Sequence, residues 1–351
     1  MLTTTTPLLQ RLGIAHPIVQ GPFGGGMSSA LLAATVSNGG GLGSFGAHQL
    51  RPDQIGPLAS EVRALTARPF ALNLWVSTFD AGGDQLSAAE FERGWRLFEP
   101  WYRELGLDKP EPPAQLHADF EAQFEALLAA QPAVFSFVFG VPRKSILDAC
   151  RRRGIATIGA ATSIAEAQAL DAASVDAIVA SGFEAGGHRP SFLARAEDSL
   201  MGTFALVPLI ADRVRAPVIA AGGIADARGV SAALTLGAQA AQIGTAFLAC
   251  AESGASDVHR QLLFSESARS TTLTRAFSGR LARGISNRWT REMAARIDEL
   301  PPFPVQSWFT GQMRAAAIAQ GRSDLVSLWG GQIAPNLVHR SAAELMQALT
   351  D

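Results

Sequence analysis

Short apolar runs, each closed by glycine or a polar residue, recur along the chain and are separated by Ala/Leu-rich stretches of helical period. Eight can be counted: residues 17–20 (PIVQ), 41–45 (GLGSF), 70–76 (FALNLWV), 133–139 (AVFSFVF), 156–160 (ATIGA), 177–181 (AIVAS), 217–221 (PVIAA) and 240–244 (AAQIG). They are continuous instead of alternating, the pattern of parallel strands buried on both faces. The stretches between them include Ser29–Ser37, Ser163–Ala172 and Asp226–Leu236. The second opens with Thr162-Ser163 as a cap and carries Glu166. Alternating strand and helix predicts a parallel α/β fold. A count of eight selects a closed (β/α)8 TIM barrel over an open doubly wound sheet. The glycine-rich piece Gly21-Pro22-Phe23-Gly24-Gly25-Gly26 does not restore the open sheet, because its spacing is not G-x-G-x-x-G and no acidic partner follows about 20 residues on.

Two regions fall outside the repeat. Residues 79–115 are rich in aromatics (Phe91, Trp95, Phe98, Trp101, Tyr102), end in Pro110-Glu111-Pro112-Pro113, and read as an insertion after the third strand. Residues 251–328 follow the eighth strand, look mainly helical, and are interrupted by Pro301-Pro302-Phe303-Pro304. A barrel needs only about 250 residues. The expected layout is therefore a barrel over 1–250, a smaller lid or accessory domain over 251–328, and a segment 329–351 returning to the barrel.

Composition narrows the class. A net charge of −2 gives no field that would gather nucleic acid or anionic membrane. Cys150 and Cys250 are too few for a disulfide framework, and no cluster has metal-ligand spacing. The first 17 residues lack the charged and apolar halves of a signal peptide. No uninterrupted apolar stretch reaches the roughly 18 residues of a membrane span. A cytoplasmic protein without nucleic-acid or membrane partners is expected.

The chemistry should lie where the strands end. The first run ends in Gln20-Gly21-Pro22, the third carries Asn73, and the sixth empties into Glu184-Ala185-Gly186-Gly187-His188. The seventh ends in Gly222-Gly223 and the eighth in Gly244-Thr245. Loops seven and eight are the usual phosphate site of such barrels, where glycine amides and a threonine hydroxyl can face phosphate oxygens. No P-loop lysine motif is present, which points to a phosphorylated cofactor instead of a hydrolysed nucleotide. Tight strand–helix packing is the plainer account of Gly222-Gly223. Histidine is the side chain best suited to proton transfer near neutral pH. By position His188 leads and His48, after the second strand, competes. His16 precedes the first strand and belongs at the opposite end; His117 lies in the insertion, and His259 and His339 in expected helices, all with solvated or capping roles. Glu184 is either a second acid/base group or a structural carboxylate.

Taken together, Gln20-Gly21-Pro22, Asn73, Ser136–Pro142, Glu184–His188, Ala220–Ile224 and Gln242–Phe247 resemble the nitronate monooxygenases, formerly called 2-nitropropane dioxygenases. The likeness continues through Ser278–Arg283, Asn287-Arg288 and Trp329–Gln332, so it spans nearly the whole chain. It implies an FMN-binding (β/α)8 barrel with a smaller domain over its mouth. The implied reaction is oxidation of alkyl nitronates, with nitroalkanes as a further substrate class, by O2 to a carbonyl compound and nitrite. His188 would be the catalytic base or nitronate-orienting group. Gln20, Gly21, Pro22, Asn73, Ala185, Gly186, Gly187 and Gln332 would contact the flavin. Gly222, Gly223, Gly244 and Thr245 would hold its phosphate. A homodimer is compatible with the resemblance.

Three positions depart from the family pattern. Phe23 stands where many members carry methionine, Val138 where a subset has histidine, and Pro190 where glycine is common. They bear on substrate more than on cofactor. Rival readings are a flavin-dependent enoyl-thioester reductase using NAD(P)H, a flavin-binding protein without turnover, and a flavin oxidase with a non-nitronate substrate. The reductases share the Glu-Ala-Gly-Gly-His turn but tend to carry a Thr/Gly-rich stretch where this chain has Ser136–Pro142.

Overall fold

The computed structural model describes residues 6–77, 86–116 and 118–351, so His117 and part of the expected insertion lie outside the described residues. Each apolar run forms a strand: β1 (Ile18–Gln20), β2 (Gly43–Gly46), β3 (Phe70–Trp75), β4 (Val134–Val138), β5 (Ala156–Ala161), β6 (Ala177–Ser181), β8 (Val218–Ala221) and β9 (Ala240–Ile243). All pair in parallel, in the order β1-β9-β8-β6-β5-β4-β3-β2. Leu42 N donates to Ile18 O at 2.9 Å and Gln20 N to Leu42 O at 2.9 Å, which brings β1 against β2 and closes the circle. The fold is a TIM barrel.

The helices start where the caps predict. Ser29, Ser163 and Asp226 accept hydrogen bonds from Leu32 N, Glu166 N and Gly229 N, the N-cap arrangement that satisfies a first-turn amide. Inside the barrel the side chains at the strand starts are small: Ala71, Ala156, Ala177 and Ala240 pack with Val19 and Val134. The N-terminal helix Pro7–Leu12 adds Leu8, Leu9 and Leu12 to that cluster and so plugs the end where the strands begin. Each such leucine contributes about 1.5–3 kcal/mol relative to an exposed one.

A second core has a different make-up. Phe98, Trp101 and Tyr102 from helix Ala88–Glu104 meet Trp289 from helix Arg288–Ala294 and Phe309 from helix Val305–Ala319. Phe98 stacks on Phe309 at 4.7 Å and Trp101 meets Trp289 edge-on at 4.9 Å. The polar atoms of these rings are satisfied: Tyr102 Oη donates to Phe309 O and Trp289 Nε1 to Ala276 O. The aromatic-rich insertion and the segment after the last barrel strand thus share one core.

Residues 251–328 carry the helices Arg288–Ala294 and Val305–Ala319 and, beyond the mainly helical expectation, two strands. β10 (Thr271–Thr274) and β11 (Ala282–Ile285) run antiparallel, and β11 also pairs with β7 (Gly187–His188). Thr-rich β10 suits a strand, but a short polar strand lacks the continuous apolar pattern that marks the barrel. At the C-terminus, helix Ala342–Thr350 packs Leu345, Met346 and Leu349 into the barrel's outer core. His339, expected in a helix, lies in the irregular stretch before it. Among the described residues no helix is long and apolar enough to cross a membrane.

Candidate active site

At the end of the barrel where the strands finish lies a cavity of about 480 Å³, within the range of small-molecule sites. Its walls come from both cores: the barrel exits on one side, and Phe277, Ser278, Ser307, Thr310 and Arg314 on the other.

His188 lines this cavity from β7. The preceding glycines release the chain from β6, and pairing with β11 captures it again: His188 sits opposite Ala282, and Arg189 N donates to Leu281 O at 2.9 Å. Arg189 itself is buried, with Nη1 donating to Ser181 O and Nη2 to Ser199 O, so the strand exit is fixed on both sides of the histidine. The imidazole is walled by Trp75, Trp329 and Phe139, with ring centroids 5.0, 5.2 and 6.3 Å away. Its Nε2 shares a hydrogen bond with Ser278 Oγ at 2.8 Å, and Ser278 Oγ in turn bonds Arg280 O and N. Burial within those walls, and then the Arg280 charge, lower its pKa to about 3. The ring is neutral throughout the physiological range.

Arg280 is held in an aromatic cage. Its guanidinium carbon lies 3.7 Å from the Phe139 ring centroid, 4.1 Å from Phe303 and 5.1 Å from Trp75, and Nη2 donates to Ser77 Oγ. The cage places a fixed positive charge beside the histidine.

The glycine exits form a second feature of the same cavity. Gly222 and Gly223 have φ of +106° and +72°, a conformation that side chains rarely adopt, and a Cβ on Gly222 would come within 2.9 Å of Thr203 Oγ1. The amides of Gly222, Gly223 and Gly244 bond to no other described residue. Thr245 Oγ1 accepts from Gly331 N at 2.9 Å, which leaves its own proton to donate. Orphan amides and a free hydroxyl facing a cavity suit an anion. Packing alone leaves them without partners.

The other expected site residues fall into two groups. Gly21, Pro22, Asn73, Ala185, Gly186 and Gly187 line the cavity. Gln20 and Gln332 do not. The Gln20 amide is spent on the backbone, giving to Ser44 O and Gly21 O and accepting from Ser44 N, and so ties β1 to β2. Gln332 is exposed, and its backbone N–H donates to Glu184 O. The Glu184 carboxylate accepts from Thr203 N and Oγ1, which makes it the cap of helix Thr203–Ala211. Phe23, Val138 and Pro190, the three departures, all line the cavity. His259, expected to be solvated or capping, is buried and bonds Trp329 O at 2.9 Å, which steadies the segment flanking His188. Trp75, Phe139 and Arg314 were not singled out from the sequence; each lies far along the chain from His188 and only the fold brings them together. Among the described residues no group of His, Cys, Asp and Glu could hold a metal ion.

Comparison with known proteins agrees with this architecture. The sequence profile described as nitronate monooxygenase matches residues 5–351. A nitronate monooxygenase of Paraburkholderia phytofirmans is 41% identical over 346 residues, covering 97% of this chain and 93% of the relative. The crystal structure of a nitroalkane oxidase from Streptomyces ansochromogenes superposes with a TM-score of 0.88 at 34% identity, covering 97% and 96% of the two chains. FabK from Thermotoga maritima is more distant, with a TM-score of 0.76 at 27% identity over 99% and 95%. The chain belongs to the nitronate monooxygenase family and is an oxidoreductase.

Proposed function

We propose that this enzyme oxidises alkyl nitronates, and nitroalkanes where it can first remove their α-proton, using FMN and O2 to give a carbonyl compound and nitrite. One observation carries the reading: a neutral imidazole, His188, shares a single cavity with glycine amides that bond to no other described residue. The amides of Gly222, Gly223 and Gly244 with the Thr245 hydroxyl would hold the flavin phosphate. Gly21, Pro22, Asn73 and the Ala185–Gly187 turn would line the rest of the cofactor. Electron transfer to O2 is the chemistry the flavin supplies when bound.

The chain's own residues do the rest. His188, uncharged, can accept the α-proton of a neutral nitroalkane, since nitro groups make that proton acidic. The anion so formed sits near Arg280, and its charge offsets the guanidinium that otherwise disfavours the imidazolium. With a substrate that is already a nitronate, His188 orients the anion by hydrogen bonding. The aromatic walls exclude water from the reacting centre. Residues 251–328 act as the lid, adding Phe277, Ser278 and Arg314 to the cavity lining.

The test is direct. Flavin-loaded protein mixed with propionate 3-nitronate in air should consume O2 and release nitrite. Consumption of NAD(P)H with a crotonyl thioester, and no nitrite, would instead make the protein a reductase.

A further inference from the structure

A second histidine faces the same cavity, and neither the fold nor the role of His188 accounts for its construction. The His48 ring lies flat on Trp75, with centroids 3.8 Å apart and planes 8° from parallel. It also abuts the backbone of the loop after β1: a Cβ on Gly24 would lie 2.1 Å from His48 Cε1 and 2.8 Å from Nε2. The ring is thus wedged between an indole and a position that must be glycine. Gln123 Nε2 donates to His48 O at 2.9 Å and anchors its backbone.

The two ring nitrogens differ. Nδ1 is buried without a hydrogen-bond partner, whereas Nε2 is the nitrogen left open to the cavity that the ring lines. Burying an N–H without an acceptor is costlier and rarer than burying a lone pair. The proton therefore resides on Nε2. Burial, with His188 and Arg280 as the nearby groups, keeps the ring uncharged, its pKa lowered to about 3. The result is a neutral N–H donor on a cavity whose lining includes Phe23, Met27, Trp75 and Val138 together with Gln49, Asn73 and Arg314.

We propose that His48 is a second substrate-contacting residue, whose Nε2–H donates to an oxygen of the nitro or nitronate group while His188 serves the α-carbon. The inference rests on the functional reading above and adds a residue to it. It also assigns Gly24 a purpose: the missing Cβ is the space the imidazole occupies.

The test uses the flavin-loaded enzyme and 2-methyl-2-nitropropane, a nitro compound with no α-proton, so that binding is read without turnover. Binding is followed by calorimetry in the wild type, His48→Phe and Gly24→Ala. His48→Phe keeps a ring against Trp75 and removes the donor; Gly24→Ala keeps the histidine and pushes it aside. Both should weaken the nitro ligand about threefold to tenfold, the loss of one neutral hydrogen bond, while the flavin dissociation constant stays at the wild-type value. Unchanged nitro binding in either folded variant overturns the assignment. So does weakened flavin binding with intact nitro binding, which would direct the donor to the cofactor. The functional reading fails separately: a wild type that neither binds the nitro compound nor releases nitrite takes both claims down.

Discussion

Inside the barrel the core mixes alanines at strand starts, Ala71, Ala156, Ala177 and Ala240, with aliphatic residues such as Val134, Ile158 and Ile219. Across the cavity the second core is made of Phe98, Trp101, Tyr102, Trp289 and Phe309, drawn from three separated segments. The barrel contributes amides and glycine turns, which suit an anion. The barrel also supplies Trp75 and Phe139 of the walls around His188, while the second region supplies Ser278 and Arg280, the groups that position and tune it. The glycine cradle thus belongs to the barrel alone, whereas the surroundings of His188 are drawn from both regions.

That division can be broken from either side. The largest effect is expected at the barrel rim. Gly223→Glu must adopt a φ of +72° and sets a carboxylate where the phosphate would bind, so like-charge repulsion adds to backbone strain. The protein should purify without flavin; a fully yellow variant would move the phosphate elsewhere. Next comes His188→Asn, which removes the base and leaves the glycine cradle untouched. Turnover of a neutral nitroalkane should fall about 10²–10⁴-fold with flavin content unchanged. Wild-type proton abstraction in this variant would end the role assigned to the imidazole. On the aromatic side the effect is on stability and not on chemistry. Trp289→Ala empties a fully buried site and should cost about 3–5 kcal/mol in urea unfolding. A loss below about 1 kcal/mol would mean that the second core is not a cooperative part of the fold.

The same contrast explains what could be read from the chain. Barrel strands are local signals: a run such as Ala177–Ser181, fully buried and followed by glycines, states its own structure. The Glu184–His188 turn is legible for the same reason, since the candidate histidine lies on the element that brings it to the cavity. The surroundings of His188 are not. Trp75, Phe139, Ser278 and Trp329 meet it only after distant segments have packed. The pairing of Gly187-His188 with Ala282-Arg283 likewise depends on a strand of two residues, too short for any periodicity. Gln20 shows the opposite failure. Its place at a strand exit suggested a ligand contact, but an amide with both a donor and an acceptor was used to tie two backbones together.

The union of β7 with β11 constrains how molecules reach the reaction centre. His188 is stitched to the covering region by backbone bonds on one side and by Ser278 on the other. A cover that swung outward like a hinged door would carry the imidazole away with it. Movement of the covering region and placement of the imidazole are therefore coupled. Changes made far out on that region should be felt in the rate before they are felt in affinity.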